Sequence, residues 1–450
     1  MFRDLPRYAD TKPSGFWNTP IPAGWREVPG FAVARENRRK NRDLAETQVL
    51  SLSYGRIVAK PVEKQHGLVP DSYEGYQVLE PGDIVVRPTD LQNDQRSIRV
   101  GMVHNRGIIT SAYIGLRAQG DWESAYAYLY MSVVDSTKRI YGMGRGLRQQ
   151  LSWADIKRMP CLVPPPEEQA AIVKYLAHAN ARINKAIAAK RRLIALLEEE
   201  KKAIADVILG QLDEGAREVR HVLSQLVDCE HKTAPFVEGE PYWVLRTSSV
   251  KSGEIVWSGA YTTDAASYEV WTNRAVPEAG DVIFTREAPV GEAAVIPDGR
   301  RVALGQRTVL MKVRREIMDP QFLVYQVYAG LPRRRISLAT QGSTVGHFNM
   351  DDIGWMRVAV PDIEVQRQLV SKIENANSGA NEVIDKMQSE IALLQEFRTR
   401  LAADVVTGQV DVRAIAATMP DAPEAAVEAL GEDVPMLDEE LGDTVEGDDE

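Results

Sequence analysis

Apolar residues recur every three or four positions along two long segments, and this spacing predicts helices at about Glu167–Leu209 and Glu364–Thr407. Steps that alternate between four and three residues are typical of a coiled coil. A long apolar face is not stable in water, so we expect each helix to bury its face, most simply against the other helix of the chain. The first face comprises Ile172, Leu176, Ala179, Ile183, Ala186, Leu193, Leu197, Ile204 and Val207. The second face comprises Leu369, Ile373, Ala376, Ala380, Val383, Met387, Leu394, Leu401 and Val405.

The two helical segments belong to a longer repeat. Asp155–Asp213 and Asp352–Asp411 both open with Asp-Ile, pass through a short apolar strand to a proline, and continue as a helix. Pro164 aligns with Pro361, at a spacing of 361 − 164 = 197 residues. This spacing is far longer than the 20–50 residues of a solenoid unit. It indicates that half of the chain was duplicated, so we expect a pseudo-two-fold arrangement with the two helices antiparallel.

The segments outside the helices read as two mixed lobes. Short apolar strands alternate there with Gly and Pro turns, and Pro81-Gly82-Asp83 in the first lobe corresponds to Ala279-Gly280-Asp281 in the second. The predicted fold class is therefore α+β, with two similar α/β domains separated by an antiparallel two-helix coiled coil. The predicted boundaries are 1–150 for the first lobe, 151–212 for the first helix, 213–349 for the second lobe, 350–412 for the second helix, and 413–450 for a disordered tail.

The net charge of −10 is concentrated at the C-terminus. Asp421–Glu450 contains 13 acidic residues and no Lys or Arg, so the remainder holds 64 − 13 = 51 acids against 54 bases. The body of the protein is therefore mildly basic, and the acidic tail has the composition of a disordered segment. The tail either keeps the chain soluble or competes with nucleic acid for a basic surface.

Several classes of function find no support in the sequence. No apolar run approaches the roughly 20 residues of a membrane-spanning helix, and the N-terminus lacks a signal-peptide core, so we expect a cytoplasmic protein. The only cysteines, Cys161 and Cys229, read as buried free thiols. No P-loop and no Cys/His cluster with zinc spacing is present. Asp83 and Asp281 are interpreted as turn residues rather than as paired catalytic carboxylates.

The order of short motifs within the repeat resembles that of the specificity subunits (HsdS) of type I restriction-modification systems. Pro164-Pro165-Pro166-Glu167-Glu168-Gln169 is similar to the start of the family's conserved helix, and Pro361, Glu364 and Gln366 form a degraded second copy. The segment 20–25, Pro-Ile-Pro-Ala-Gly-Trp, and the segment 231–235, His-Lys-Thr-Ala-Pro, resemble the openings of two target-recognition domains. The resemblance covers about Pro20 to Asp411.

This resemblance implies a DNA-recognition subunit without catalytic activity. Each lobe would read one block of a bipartite, asymmetric site in double-stranded DNA, and the helices would set the gap between the blocks. The helices would also dock two DNA methyltransferase (modification) subunits, joined by translocase/nuclease (restriction) subunits. S-adenosylmethionine, ATP and Mg²⁺ would then be held by those partners, with no cofactor or metal on this chain.

DNA binding needs cations for phosphates and forked donors for base edges, and the lobes offer many. The candidates in the first lobe are Arg87, Arg96, Arg99, Arg106, Lys138, Arg139, Arg145 and Arg148. Those in the second lobe are His231, Lys232, Arg246, Arg286, Arg307, Arg333, Arg334 and Arg335. The candidates for helix pairing and subunit docking are Ile172, Leu176, Ile183, Leu193, Leu197, Leu369, Ile373, Met387, Leu394 and Leu401.

Two other hypotheses remain open from the residues alone. The chain could be an enzyme with a hidden DNA methyltransferase or nuclease site in one lobe, which turnover of the isolated chain would reveal. It could instead be a coiled-coil scaffold without a role at DNA, which retention of the chain by DNA at moderate salt would argue against.

Overall fold

The computed structural model of the chain describes residues 5–53, 55–60, 72–89, 91, 98–143, 150–210, 212–213, 215–340 and 348–422, without the side chains of 338–340. The chain divides into two compact units. Unit 1 comprises Met1–Arg191 and Gln388–Glu450, and unit 2 comprises Arg192–Met387. The predicted domain boundaries at 150, 212, 349 and 412 stay predictions.

Unit 1 is built on a four-stranded antiparallel sheet with the order β4-β11-β8-β9. Helix α1 is buried on nearly every side within the core of unit 1. Its Tyr126 and Tyr130 side chains are fully buried there. The strands are β1 (Thr11–Lys12), β2 (Ile21–Pro22), β3 (Arg26–Pro29), β4 (Ala34–Glu36), β5 (Leu50–Ser53), β6 (Arg56–Ala59), β7 (Gln77–Leu79), β8 (Ile84–Val86), β9 (Val100–Met102), β10 (Gly107–Ile109), β11 (Ile114–Ala118) and β12 (Pro160–Val163). The helices are α1 (Ser124–Ser136), α2 (Trp153–Ile156) and the first part of α3 (Pro166–Leu209).

Unit 2 contains a sheet of the same strand order, β14-β22-β19-β20, again antiparallel throughout. A second sheet, β18-β15-β21, pairs β15 with β21 in parallel. The strands are β13 (Arg217–Glu218), β14 (Leu223–Asp228), β15 (Tyr242–Leu245), β16 (Val250–Lys251), β17 (Glu254–Ile255), β18 (Tyr261–Thr263), β19 (Val282–Arg286), β20 (Val290–Val295), β21 (Arg301–Leu304), β22 (Thr308–Val313) and β23 (Arg357–Val358). The helices are α4 (Ala265–Trp271), α5 (Pro320–Ala329), α6 (Leu331–Thr340), α7 (Met350–Gly354) and the first part of α8 (Ile363–Val406).

Helices α3 and α8 are the two long helices that the apolar spacing predicts. Each has 44 residues, which corresponds to about 66 Å at 1.5 Å per residue. In unit 1, Arg398 donates to the Asn184 side chain at 3.3 Å, and Lys190 forms an ion pair with Glu390. Because the α8 partner moves backward along the chain as the α3 residue moves forward, the helices are antiparallel there, as predicted.

Most of the predicted inner positions of the two long helices are covered in the structure. Ile172, Leu176, Ile183, Ile373 and Leu401 are buried. The predicted residues Leu197, Leu369, Met387 and Leu394 are half-buried.

Four predicted inner positions are wrong. Leu193 is 40% exposed, Val207 is 85% exposed, Val383 is 38% exposed, and Ala376 is also exposed. For two of them the next residue occupies the inner face instead: Asn377 and Ile384 are buried beside Ala376 and Val383. Adjacent apolar pairs such as Ala186-Ile187 and Val383-Ile384 satisfy a step of three or of four equally well, so spacing alone does not choose between them.

One glutamine fastens the start of each long helix to its unit. In unit 1, the buried Gln169 side chain donates to the Asp121 and Pro164 carbonyls at 2.6 and 2.9 Å and accepts from the Glu123 amide at 2.9 Å. In unit 2, Gln366 donates to the Ile317 and Pro361 carbonyls, both at 2.8 Å, and accepts from the Asp319 amide at 2.9 Å.

The corresponding Gly-Asp turns are also alike. Gly82 and Gly280 have φ values of +87° and +84°, which favour glycine. Asp83 accepts from the Glu80 amide, and Asp281 accepts from the Glu278 amide, both at 2.9 Å. Asp83 is also held by two 2.6 Å bonds from Arg117. The interpretation of both aspartates as turn residues is confirmed.

Regular structure and packing continue further toward the C-terminus than the composition of the segment predicts. Helix α9 (Arg413–Thr418) buries Ala416, and Lys174 forms a 3.1 Å ion pair with Asp421. The prediction of disorder from residue 413 is therefore wrong for 413–422, because this stretch has apolar residues that pack on unit 1. The acidic residues from 423 onward lie outside the described residues.

We predict that Gln366→Leu lowers the free energy of unfolding by about 2–4 kcal/mol, because it leaves two carbonyls and one amide buried without partners. Urea unfolding followed by circular dichroism measures the change. Gln368→Leu is the matched control, since Gln368 is exposed on the same helix turn, and it should stay within about 0.5 kcal/mol of the unaltered chain. Equal effects for the two variants would contradict the fastening role.

Candidate nucleic-acid interface

The candidate cations differ in what holds each of them. A guanidinium that faces a carboxylate of its own chain has its charge partly neutralised, whereas one held by an aromatic ring or a carbonyl keeps its charge for an external anion. Five candidates are paired with acids: Arg106 with Glu46 at 3.0 Å, Arg286 with Asp228 at 2.8 Å, Arg307 with Glu287 at 3.9 Å, Arg333 with Asp206 at 2.9 Å, and Arg335 with Asp352 at 3.0 Å.

The basic triplet 333–335 on α6 connects elements within unit 2. Arg333 reaches Asp206 near the end of α3, and Arg334 donates to the Gly210 carbonyl at 2.9 Å just beyond that end. Cations near a helix C-terminus also interact favourably with its exposed carbonyls. Arg333 and Arg334 therefore hold the end of α3, and Arg335 pairs with Asp352 of α7, structural roles that their sequence did not suggest.

Arg99 is fully buried, which is incompatible with direct contact to a DNA backbone. Its guanidinium donates to the Thr89 carbonyl at 2.6 Å and to the Tyr141 hydroxyl at 3.1 Å. Its backbone amide donates to Asp135 of α1 at 2.7 Å. Arg99 therefore joins β9 to α1, and we remove it from the candidate interface.

The segment after α1 presents cations beside aromatic rings in unit 1. Lys138 has a left-handed backbone (φ 61°) and lies 4.9 Å from the centre of the Tyr141 ring. Arg139 lies 4.4 Å from the Trp17 ring centre and donates to the Phe16 carbonyl at 2.6 Å. These residues lead toward Arg145 and Arg148, which lie outside the described residues, as does Arg96.

Both units anchor the chain in the same way after the predicted Gly-rich loops at 142–148 and 341–344. In unit 1 the Leu151 amide donates to the Pro88 carbonyl at 2.9 Å, immediately after Arg87, which is half-buried. In unit 2 the Phe348 amide donates to the Arg286 carbonyl at 2.9 Å. Pro88 and Arg286 follow the same Gly-Asp turn in the two units, so equivalent positions bind the chain at Leu151 and at Phe348. Residues 144–149 and 341–347 lie outside the described residues.

The segment after β14 carries two further unit 2 candidates, His231 and Lys232. Asp228 pairs with Arg286, and the His231 ring lies 3.3 Å from the same carboxylate. Lys232 is exposed, and its carbonyl accepts from the Trp271 indole at 3.3 Å. His231 and Lys232 therefore lie at the surface beside an acid that already holds an arginine.

A second group of arginines in unit 2 is held by aromatic rings. Arg246, which was predicted, lies 5.4 Å from the Tyr261 ring centre. Arg300 and Arg301, which the sequence analysis missed, lie 3.9 Å from the Trp257 ring centre and 5.6 Å from the Tyr242 ring centre. The signal in the sequence is an Arg-Arg pair at the start of a strand, but its aromatic partners, Tyr242 on β15 and Trp257 between β17 and β18, are identified only by the tertiary structure.

Metal ligands and thiols are two reactive kinds of side chain. No group of three metal-ligating side chains occurs among the described residues. Cys161 and Cys229 are free and buried, and burial raises the pKa of the Cys161 thiol to about 12. Within the same part of the chain, no helix has the length and apolar character needed to cross a bilayer.

The fold has counterparts among solved structures. A chain from a study of complex assembly and conformational transition of the type I R-M system is 16% identical, with a TM-score of 0.51, over 87% of this chain and 99% of that one. The two chains share a fold.

Two further solved chains align with lower structural scores. The HsdS subunit from Thermoanaerobacter tengcongensis is 17% identical (TM-score 0.38, 88% of this chain and 98% of that one). The type I restriction-modification S subunit from M. genitalium is 12% identical (TM-score 0.34, 88% and 98%). No protein-family model and no curated protein sequence matches the chain.

We predict that Arg99→Met lowers the free energy of unfolding by about 2–4 kcal/mol, because two partly buried acceptors lose a charged donor whose own side chain is fully buried. Urea unfolding followed by tryptophan fluorescence reports the change. Arg106→Met removes an exposed, acid-paired arginine of the same unit and should cost less than about 1 kcal/mol. A neutral Arg99→Met variant would contradict the buried structural role.

Proposed function

We propose that this chain is the DNA-recognition (specificity) subunit of a type I restriction-modification complex. The observation that carries the proposal is the shared fold with a chain from a type I R-M system, which spans 87% of this chain and 99% of that one. The order of the sequence motifs supports the same assignment. On this proposal the chain has no catalytic site, and S-adenosylmethionine, ATP and Mg²⁺ belong to its partner subunits in the cytoplasm.

The recognition of a bipartite DNA site follows from the internal similarity. Both units contain a sheet of the same strand order, and both fasten a long helix with a buried glutamine, Gln169 or Gln366. We infer that the two halves arose by duplication. Their surface residues differ, so each unit reads a different block of double-stranded DNA, and the long helices set the distance between the blocks.

The long helices also offer a repeated docking surface for partners. Leu196 is 51% exposed and Leu393 is 63% exposed, and they hold equivalent positions in the repeat. A single exposed leucine is common on a protein surface, but its recurrence at equivalent positions of the repeat supports a repeated contact with another protein. Two equivalent sites match two modification subunits, to which the restriction subunits are added.

We predict that replacing residues 16–150 with the corresponding lobe of another specificity subunit changes one half of the recognised site and leaves the other half unchanged. The reason is that each unit has its own sheets and core. Genome-wide mapping of methylated adenines, in cells that express the chain with its modification subunits, measures both halves of the site.

The control for this exchange is the unaltered chain in the same cells, with a second control that lacks the chain. A change in both halves, or in neither, would contradict recognition by separate units. Absence of any methylation that depends on the unaltered chain would contradict the proposed function itself.

We predict that Leu196→Asp and Leu393→Asp each weaken binding of one modification subunit at least about tenfold, because each buries a charge at a proposed interface. Analytical ultracentrifugation of the assembled complex measures how many modification subunits remain bound. The double variant should lose both.

Leu44→Asp is the matched control, since Leu44 is 48% exposed and lies outside the helices. It should leave the assembly unchanged. Full assembly of the double variant would exclude these leucines from the docking surface. That outcome would not contradict the proposed DNA recognition, which the domain exchange tests.

A further inference from the structure

The C-terminal segment is fastened to unit 1 as far as residue 422. Helix α9 buries Ala416, and Met419 and Ala422 pack against the core of the unit. Asp421 forms a 3.1 Å ion pair with Lys174 of α3. The chain beyond residue 422 therefore starts from a defined place, beside the first third of α3.

The part of the chain beyond this anchor is a polyanion. Residues 424–450, which we call the distal tail, contain 13 − 1 = 12 acidic side chains, since Asp421 lies before them, and no Lys, Arg or His. The rest of the chain has 54 basic side chains against 64 − 12 = 52 acidic ones, a net charge of +2. Residues 423–450 lie outside the described residues. A polyanion attached to a body of opposite net charge is drawn to the exposed cations of that body.

Unit 1 holds two adjacent cations beside neutral partners at the end of α1. Lys138 is exposed and lies 4.9 Å from the Tyr141 ring centre. Arg139 lies 4.4 Å from the Trp17 ring centre and donates to the Phe16 carbonyl at 2.6 Å, and its described contacts include no carboxylate. A ring or a carbonyl restrains a cation without cancelling its charge. Lys138 and Arg139, which we call the α1-end cations, are therefore suited to an added anion.

Other exposed arginines of unit 1 already face a carboxylate. An arginine in such a pair has part of its charge cancelled and gains less from a second anion. These arginines are Arg26 with Asp121 at 2.5 Å, Arg38 with Glu36 at 2.9 Å, Arg39 with Glu80 at 3.0 Å, and Arg106 with Glu46 at 3.0 Å.

A series of bonded elements joins the anchor to the α1-end cations. Lys174 lies five positions beyond Gln169 on α3, which is about 8 Å of helix. The Gln169 side chain accepts from the Glu123 amide at 2.9 Å, and α1 runs from there toward Lys138 over about 20–30 Å. Adding the side chains at the two joints places Asp421 at most about 60 Å from Lys138.

The distal tail is long enough to cover this distance. Its acidic residues from Glu440 to Glu450 lie 19 to 29 positions beyond Asp421. At about 3.3 Å per residue, an extended chain spans about 63–96 Å to them. A ligand tethered in this way acts at an effective concentration on the order of 1 mM, so a weak contact is sufficient to keep the cations occupied.

We propose that the distal tail occupies the α1-end cations of unit 1 and competes there with the phosphates of DNA. The tail contact itself needs only the charges of this chain, whereas the competition rests on the proposed function, since it assumes that the chain binds DNA. A run of carboxylates presents anions to the same donors that phosphates use. The contact therefore lowers the affinity for a duplex of any sequence, because phosphate contacts carry no sequence information.

Cross-linking with a carbodiimide tests the tail contact without DNA, because this reagent joins a carboxylate directly to a lysine amine. In the full chain, mass spectrometry should find links from the distal tail to Lys138 more often than to Lys60, which is also exposed in unit 1. About 0.5 M salt should remove the Lys138 links, because the Debye length falls to about 4 Å. Links spread evenly over the lysines, or none at Lys138, would overturn the contact.

A double-mutant cycle tests the competition, with a fluorescein-labelled DNA duplex of arbitrary sequence and fluorescence anisotropy as the readout. Replacing every Glu→Gln and Asp→Asn from 424 to 450 keeps the length of the tail and removes its charge. This neutral tail should raise the affinity about tenfold at about 0.05 M salt and less than about twofold at about 0.3 M salt. In a chain that also carries Lys138→Ala and Arg139→Ala, the gain should stay below about twofold even at the lower salt concentration.

Arg38→Ala is the matched control, since Arg38 is exposed in unit 1 but pairs with Glu36. In the Arg38→Ala chain the neutral tail should keep its full gain in affinity. Lys138→Ala alone changes only an exposed side chain and should remove part of the gain, even where Arg139→Ala destabilises the unit. Thermal unfolding of each variant checks that it is folded.

The outcomes distinguish this inference from the proposed function. If neither the unaltered chain nor the neutral-tail chain binds the duplex, the proposed function fails, and the cross-links alone decide whether the tail contact exists. If both chains bind equally well at low salt, the competition is overturned. An equal gain with and without the α1-end cations would overturn their assignment as the surface that the tail covers.

Discussion

The pairing of α3 with α8 is the constraint on which the rest of the structure depends. Each helix is 44 residues long and carries one apolar face that water does not solvate well. Because the helices are antiparallel in unit 1, the C-terminal half of α8 completes a unit whose remaining residues come from the first part of the chain. The Tyr126 hydroxyl donates to the Val406 carbonyl at 3.2 Å, and the Asp411 amide donates to the Pro6 carbonyl at 2.7 Å. Unit 1 therefore cannot complete its core until nearly the whole chain has been made.

A buried glutamine fastens the start of each long helix with the same set of hydrogen bonds. A helix start leaves backbone groups without intrahelical partners, and a buried one must satisfy them. Gln169 and Gln366 each satisfy two carbonyls and one amide of the surrounding loops with a single side chain. The side chain is neutral, so its burial avoids the cost of burying a charge. This explains why glutamine serves better here than the glutamates that surround it in sequence.

The arginines divide by partner, and that division organises the proposed interface. Arg333 and Arg335 stabilise unit 2 through acids, and Arg99 stabilises unit 1 from within its core. Arg139 in unit 1, and Arg246, Arg300 and Arg301 in unit 2, are held by rings or carbonyls and keep their charge. A count of basic residues does not distinguish these groups, because the formal charge is the same while the local neutralisation differs.

The sequence by itself determined the two long helices, their antiparallel pairing and the repeated Gly-Asp turns. The helices and the turns follow from periodicity and from backbone geometry, which depend on residues close together in the chain. The antiparallel pairing was predicted from the internal duplication. It did not determine whether Ile187 or Ala186 lies inside, because neighbouring apolar residues fit the spacing equally well. Only the tertiary structure placed Asp228 against Arg286, or Trp257 against Arg300, since the two residues of each pair belong to segments that are far apart in sequence. The partner of a charged side chain is set by how distant segments pack together, and that packing is not visible in local pattern.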